Sequence, residues 1–265
     1  MSGYNQYKFL LCDRLQPGIL KITLNRPEQL NAISPELHTE LSQIWRDVAH
    51  DSETRCVLFT GAGRAFSAGG DLGNMQKVWR NRDVATTALE ARQIVNGMLD
   101  TPQPIIAMVN GHAVGLGATL ALACDLVIAT EQARIGDPHV NVGLAAGDGG
   151  TLFWPLAIGP HRAKQYLLTG ELMTGAAAAA IGLINRAVSP EELEPTALAF
   201  AQQLVALPPL AVQWTKLSIN KILKLIGNTS FETAIAYESA TMSSDDHLEA
   251  VTAFIEKRSP NFVGR

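Results

Sequence analysis

The spacing of apolar residues changes several times along the chain. Residues 7–13 and 19–24 are short apolar-rich runs, and Gln16-Pro17-Gly18 between them supplies a fixed φ and a permissive glycine, which predicts a β-hairpin. Ser34-Pro35-Glu36 has the order of a helix start: a capping hydroxyl, a first-turn proline and an acid. Leu37, Leu41, Ile44, Trp45 and Val48 follow at spacings of three and four, predicting an amphipathic helix over 35–49. Runs at 55–60, 104–109 and 125–130 read as buried strands, with helical patterns at 85–100 and 116–123 between them. Such alternation favours a layered α/β fold. After Val188, residues 190–206, 208–225, 230–241 and 244–257 read as helices. The expected organisation is one α/β core over 1–190 continued by a helical C-terminal segment over 191–265, with no linker composition between them.

Composition narrows the function. The 265 residues are 47% apolar and 17% charged, enough to bury a sizeable core. With 21 basic against 25 acidic residues, the net charge of −4 offers no field for nucleic acid or an anionic membrane. Cys12, Cys56 and Cys124 lie in or beside apolar runs without a paired spacing, and read as reduced, buried thiols. No apolar run reaches the roughly 20 residues that span a bilayer, and the opening residues lack the basic start of a secretory signal. A soluble, cytoplasmic protein is expected.

Motifs narrow it further. There is no GxxxxGK[ST], and Gly111, Gly115 and Gly117 are in the wrong order for GxGxxG. The six histidines form neither HExxH nor a Cys/His cluster, so no metal site is expected. Ser67 lacks the first glycine of a nucleophile elbow. Two segments stand out: GAGRAFSAGGDL at 61–72 and PIIAMVNGHAVGLGA at 104–118. Each is a buried strand running into small residues, and the second then enters an apolar helix. Small residues leave backbone N–H groups bare beside a ligand, and a helix start leaves donors unpaired. Two such exits can aim two N–H groups at one oxygen, forming an oxyanion hole. Equally, the glycines can serve only close helix–strand packing.

With LNRPEQLNAIS at 24–34, NGHAVGLGATLALACDLVIAT at 110–130, the pair Gly149-Gly150 and AFIEKRSPNF at 253–262, these blocks resemble the crotonase superfamily, the enoyl-CoA hydratases and isomerases. The resemblance covers nearly the whole chain. It implies a spiral of ββα units, a helical C-terminus used to assemble a homotrimer or a dimer of trimers, and an acyl-CoA thioester as substrate. Coenzyme A arrives as part of that substrate, with no separate cofactor. By motif match the oxyanion donors are the N–H groups of Ala68 and Leu116. Ala32, Ala68, Gly70, Asp71 and Leu72 match positions lining the CoA site. Phe254 and Lys257 match C-terminal positions that close over CoA, sometimes from a neighbouring subunit. Arg26 is a phosphate partner or a solvated turn residue.

The pattern breaks at the acids. Where the hydratases carry two glutamates, this chain has Thr119 and His139. Downstream, Asp148 sits among glycines, and His139 with Asp148 resembles the β-diketone hydrolase branch. A histidine beside a carboxylate suits water activation or proton transfer. Alternatively, His139 only shapes the pocket and Asp148 is a turn aspartate. Thr119 offers a hydroxyl to water or bonds the preceding turn. His112 reads as a packing residue, Asp125 as a loop or strand anchor and Asp137 as a turn residue; Asp245-Asp246-His247 reads as a helix start, and Trp45 and Trp214 as core or subunit contacts. Lys216, Lys221, Lys224 and Lys257 meet CoA phosphates or form a solvated face. Three functions follow: a hydratase- or isomerase-like step on an unusual enoyl-CoA, carbon–carbon bond hydrolysis of a β-diketone or β-ketoacyl thioester, or non-catalytic acyl-CoA binding.

Overall fold

The computed structural model describes residues 3–71, 73 and 84–265. Strands β1 (Leu10–Gln16) and β2 (Gly18–Leu24) form the expected antiparallel hairpin. It begins later than the apolar run because Tyr4 and Tyr7 leave the sheet and give their hydroxyls to Asp51 and Asp47. Helix α1 (Pro35–His50) starts as the sequence indicates, with the Ser34 hydroxyl accepting the Leu37 N–H.

Three consecutive units then repeat one path. β3 (Thr54–Gly61), β5 (Ile105–Val109) and β7 (Leu126–Thr130) enter a large sheet of order β1-β2-β3-β5-β7-β10. Their successors β4 (Ala65–Ser67), β6 (His112–Val114) and β8 (Arg134–Gly136) enter a second sheet, which β9 (Met173–Thr174) completes. Helices α2 (Val84–Asp100) and α3 (Leu116–Leu122) follow the first two pairs; a 3-10 turn (His139–Val142), α4 (Gly150–Ile158) and α5 (Pro160–Thr169) follow the third. This is a spiral of ββα units. Helix α6 (Gly175–Ala180) leads to β10 (Arg186–Val188).

The central strands β3, β5 and β7 of the large sheet are covered on both faces, which is why they read as nearly continuous apolar runs. Val57, Phe59, Ile105 and Ala107 pack with Trp45, Ile94 and Met98 of α1 and α2. On the other face Cys56, Leu58, Ile106 and Met108 meet Leu193, Ala197 and Ala201 of α7 (Pro190–Ala206). Cys56 and Cys124 are buried, Cys12 is half-buried, and all three are free thiols.

Two features differ from the sequence reading. Residues 208–225 and 230–241 are one helix, α8 (Pro209–Met242). The Gly227-Asn228-Thr229-Ser230 stretch does not break it: Gly227 is buried against Leu152, and the Ser230 and Thr233 hydroxyls bond back to Ile226 and Thr229 carbonyls. His112 is exposed rather than packed. Helix α9 (Asp245–Glu256) starts where the acids indicated, capped by Ser244.

Candidate functional site

Parallel pairing of β4 with β6 sets the two small-residue exits side by side. Contact there is close: a Cβ on Gly69 would lie 2.6 Å from the Val114 carbonyl oxygen, and one on Gly117 2.6 Å from that of Ser67. The Ala68 N–H, however, is taken by the Leu30 carbonyl at 3.0 Å. This corrects the expected donor. Gly69 has φ +86°, which redirects the chain. Its carbonyl then accepts the Ile33 N–H, and the Asp71 N–H donates to the Ile33 carbonyl, in a parallel bridge between Ile33 and Gly70. Since Gly69 O and Asp71 N both face Ile33, the Gly70 amide faces the opposite way, and it has no acceptor among the described residues. Leu116 opens α3, so its N–H is one of the helix's orphan donors, and it too lacks an acceptor there. The Leu116 side chain is buried.

Gly70 and Leu116 line a cavity of about 320 Å³, together with Asp71, His139 and Asp148. The expected partners do meet: His139 Nε2 lies 3.4 Å from Asp148 Oδ2. Asp137 corrects a second expectation. It is wholly buried rather than a turn residue, and accepts the His139 Nδ1 proton. Thr119 is a third: its hydroxyl donates to Asp148 Oδ1 at 2.9 Å instead of serving water or the preceding turn. Burial would drive the His139 ring toward neutrality, but Asp137 and Asp148 outweigh it and hold its pKa well above the ordinary histidine value. Burial would likewise raise Asp148, yet His139 and the Thr119 hydroxyl keep it below the usual carboxylate value. Asp137, His139 and Asp148 also bring potential metal ligands within 4.8 Å of one another. Both ring nitrogens face carboxylates, an arrangement that suits two N–H donors.

Two groups in this cavity were missed in the sequence. Glu238, on α8, approaches His139 Nε2 to 3.7 Å. Burial and the repulsion of Asp148 and Asp137 push its carboxyl up to about 8 against the attraction of His139. His38 and Glu90 form a further wall: Nδ1 of His38 and the Thr39 hydroxyl each donate to the Glu90 carboxylate at 2.6 Å. The available signal was an acid on an otherwise small and apolar helical stretch, at 234–242.

The remaining candidates spread out. Arg26 donates to the Ala32 carbonyl and faces Asp71 Oδ2 at 3.5 Å, so it braces the turn before Ile33. Ala32 itself does not line the cavity; Ile33 and Ser34 do. Leu72 lies outside the described residues. Phe254 and Lys257 are exposed and do not line this cavity. Lys216 is buried, holding Asp125 at 2.7 Å and the Gln103 carbonyl, while Asp125 accepts the Ile105 N–H at the start of β5. Lys224 is paired with Asp100.

Comparison with known proteins gives one answer. The model of the enoyl-CoA hydratase/isomerase family matches residues 14–265. The chain is 35% identical to a 1,2-epoxyphenylacetyl-CoA isomerase of Escherichia coli over 97% of its own length and 99% of that protein. It is also 35% identical to a short-chain-enoyl-CoA hydratase of Clostridium acetobutylicum, over 89% and 91%. Among solved structures, an enoyl-CoA hydratase/isomerase from Mycobacterium paratuberculosis superposes with a TM-score of 0.89 at 39% identity, covering 94% of this chain and 99% of the other.

Proposed function

The chain belongs to the enoyl-CoA hydratase/isomerase family, and from that premise we propose that it moves a proton along the acyl chain of a CoA thioester, shifting a double bond by way of an enolate. What carries the reading is the pair of amides at Gly70 and Leu116, free of acceptors among the described residues and opening on a cavity with an acid-rich wall. Two N–H groups on the thioester oxygen stabilise the enolate as negative charge develops there, each donor being worth roughly 3–4 kcal/mol. Isomerisation needs one wall that takes and returns a proton, and Asp148, His139 and Glu238 share one.

Carbon–carbon hydrolysis draws support from the meeting of His139 with Asp148. It requires a neutral imidazole to activate water, however, and Asp137 and Asp148 favour the charged ring. Isomerisation is therefore preferred.

The assembly proposed is a homotrimer or a dimer of trimers. Trp214, Ile222 and Leu225 on α8 and Phe254 on α9 are 61–73% exposed, an apolar surface suited to a second copy. In that assembly Phe254 and Lys257 reach the CoA of a neighbouring subunit.

The test is incubation with trans-3-hexenoyl-CoA and, separately, crotonyl-CoA, following absorbance of the conjugated enoyl thioester. A rise with the first substrate is expected. Loss of absorbance with crotonyl-CoA alone would replace isomerisation by hydration. No change with either, while both thioesters raise the melting temperature, would leave a binding protein.

A further inference from the structure

Four ionisable side chains converge at the acid-rich wall, and the geometry assigns them unequal tasks. His139 is clamped between carboxylates, Nδ1 on Asp137 and Nε2 toward Asp148. Asp137 has no exposed side-chain surface and does not line the cavity. Asp148 is occupied by the Thr119 hydroxyl as well as by His139. Glu238 differs on each count. Its side chain is the most open of the four, at 12% against 0–8%. No hydrogen bond holds its carboxyl among the described residues, the nearest cation being His139 Nε2 at 3.7 Å. It lines the cavity into which Gly70 and Leu116 also open.

Deepening the function proposed above, and resting on it, we propose that Glu238 is the residue that takes and returns the substrate proton, while Asp137, His139 and Asp148 form a fixed charged frame behind it. The sequence places no glutamate at either family acid position, so this carboxyl arrives from the C-terminal helix instead. Gly147 lets it in: a Cβ there would stand 2.6 Å from Glu238 Cβ and 2.3 Å from the Ala234 carbonyl oxygen.

The chemistry balances without a co-reactant. The Glu238 carboxylate removes a proton from the carbon next to the thioester carbonyl of a 3-enoyl-CoA. The C–H electron pair moves toward the carbonyl, and the resulting enolate oxygen rests on the Gly70 and Leu116 N–H groups. The proton then passes from the Glu238 carboxyl to the γ-carbon, the double bond moves into conjugation, and the carboxylate is restored.

The charges around Glu238 explain its readiness. Asp148 and Asp137 place negative charge beside it that His139 offsets only in part, and a further negative charge there is disfavoured. Across the cavity His38 and Glu90 satisfy each other; on α8 the nearest acid, Glu232, is paired with Arg92; from α9, His247 gives Nδ1–H to the Val142 carbonyl. The raised carboxyl is a stronger base than a solvent-exposed one when ionised, which suits a weakly acidic carbon.

The experiment compares wild type, E238Q and E238D. Exchange of the α-protons of butanoyl-CoA in deuterated water should be lost by a factor of about 10²–10⁴ in E238Q, with KM for trans-3-hexenoyl-CoA changed less than about threefold. The wild-type rate should rise with pH through about 8, and E238D should retain part of the rate with that limb displaced. Exchange by wild type and E238Q at equal rates overturns the assignment while leaving the oxyanion site standing. No exchange by wild type overturns the functional reading and this assignment with it.

Discussion

One residue, Gly69, separates Ala68 from Gly70, and the backbone decides between them. The motif brings both into the strand exit, but only the fold shows that Leu30 occupies the Ala68 amide and that Gly69, at φ +86°, turns the next amide toward the cavity. Leu116 needed no such correction, because a helix start leaves its first amides free whatever the side chain. His139 and Asp148 were visible as a candidate pair whose meeting the sequence could not show; Asp137 was legible only as a turn residue between Gly136 and Pro138. Glu238 was invisible because its partners lie about 90 to 100 residues upstream, a distance only the fold closes. Its burial carries a stability consequence. In the folded chain it keeps its proton up to about pH 8, whereas an unfolded glutamate releases it near 4.5. The native state therefore binds more protons across that window, and stability falls as pH rises through it. E238Q removes the penalty, on the order of a few kcal/mol at the alkaline end. Its melting temperature should exceed that of wild type by more at about pH 9 than at about pH 5; an equal difference at both would contradict the buried charge.

At the scale of elements, the hairpin, α1 and the large-sheet strands were readable from period and punctuation, since the central strands β3, β5 and β7 are buried on both faces and mostly apolar. The second sheet was not. β4, β6 and β8 have three residues each, too few for a period. The continuity of α8 was also hidden, because buried contacts at Gly227 override its poor intrinsic helix preference. That continuity matters, since the far end of α8 carries Glu238 while the start of the helix carries Trp214. Gly147 is a close contact between this helix and the glycine-rich loop, beside the Ala145 N–H donating to the Thr241 hydroxyl. Gly147→Ala must push α8 away from Asp148, because Ala234 backbone stands in the way. It should cost about 1–3 kcal/mol in stability, measured by urea unfolding, and reduce turnover with KM less affected. Unchanged stability and rate would show that the helix is not held there.

The whole molecule is a spiral that sets two strand exits beside each other and folds its own C-terminal helices back over them. Residues 191–265 are thus part of the site as well as the expected assembly segment: α7 covers the large sheet and α8 contributes Glu238, Ser239 and Met242 to the cavity. The remaining apolar surface of α8 predicts an assembly of three or six copies of the 28.5 kDa chain in sedimentation experiments. Replacing Trp214 and Leu225 by aspartate should lower that mass, while a monomeric wild type would contradict the proposal.

The central claim is that the Gly70 and Leu116 amides polarise a thioester carbonyl. Its most direct test is the infrared stretch of an isotope-labelled hexanoyl-CoA carbonyl, bound to wild type and to Leu116→Pro. Proline suits the first position of a helix and removes the N–H there. A shift to lower frequency on binding to wild type, much reduced in Leu116→Pro with the fold intact, is the result expected. A bound carbonyl stretching at its free-solution frequency in wild type would contradict the account.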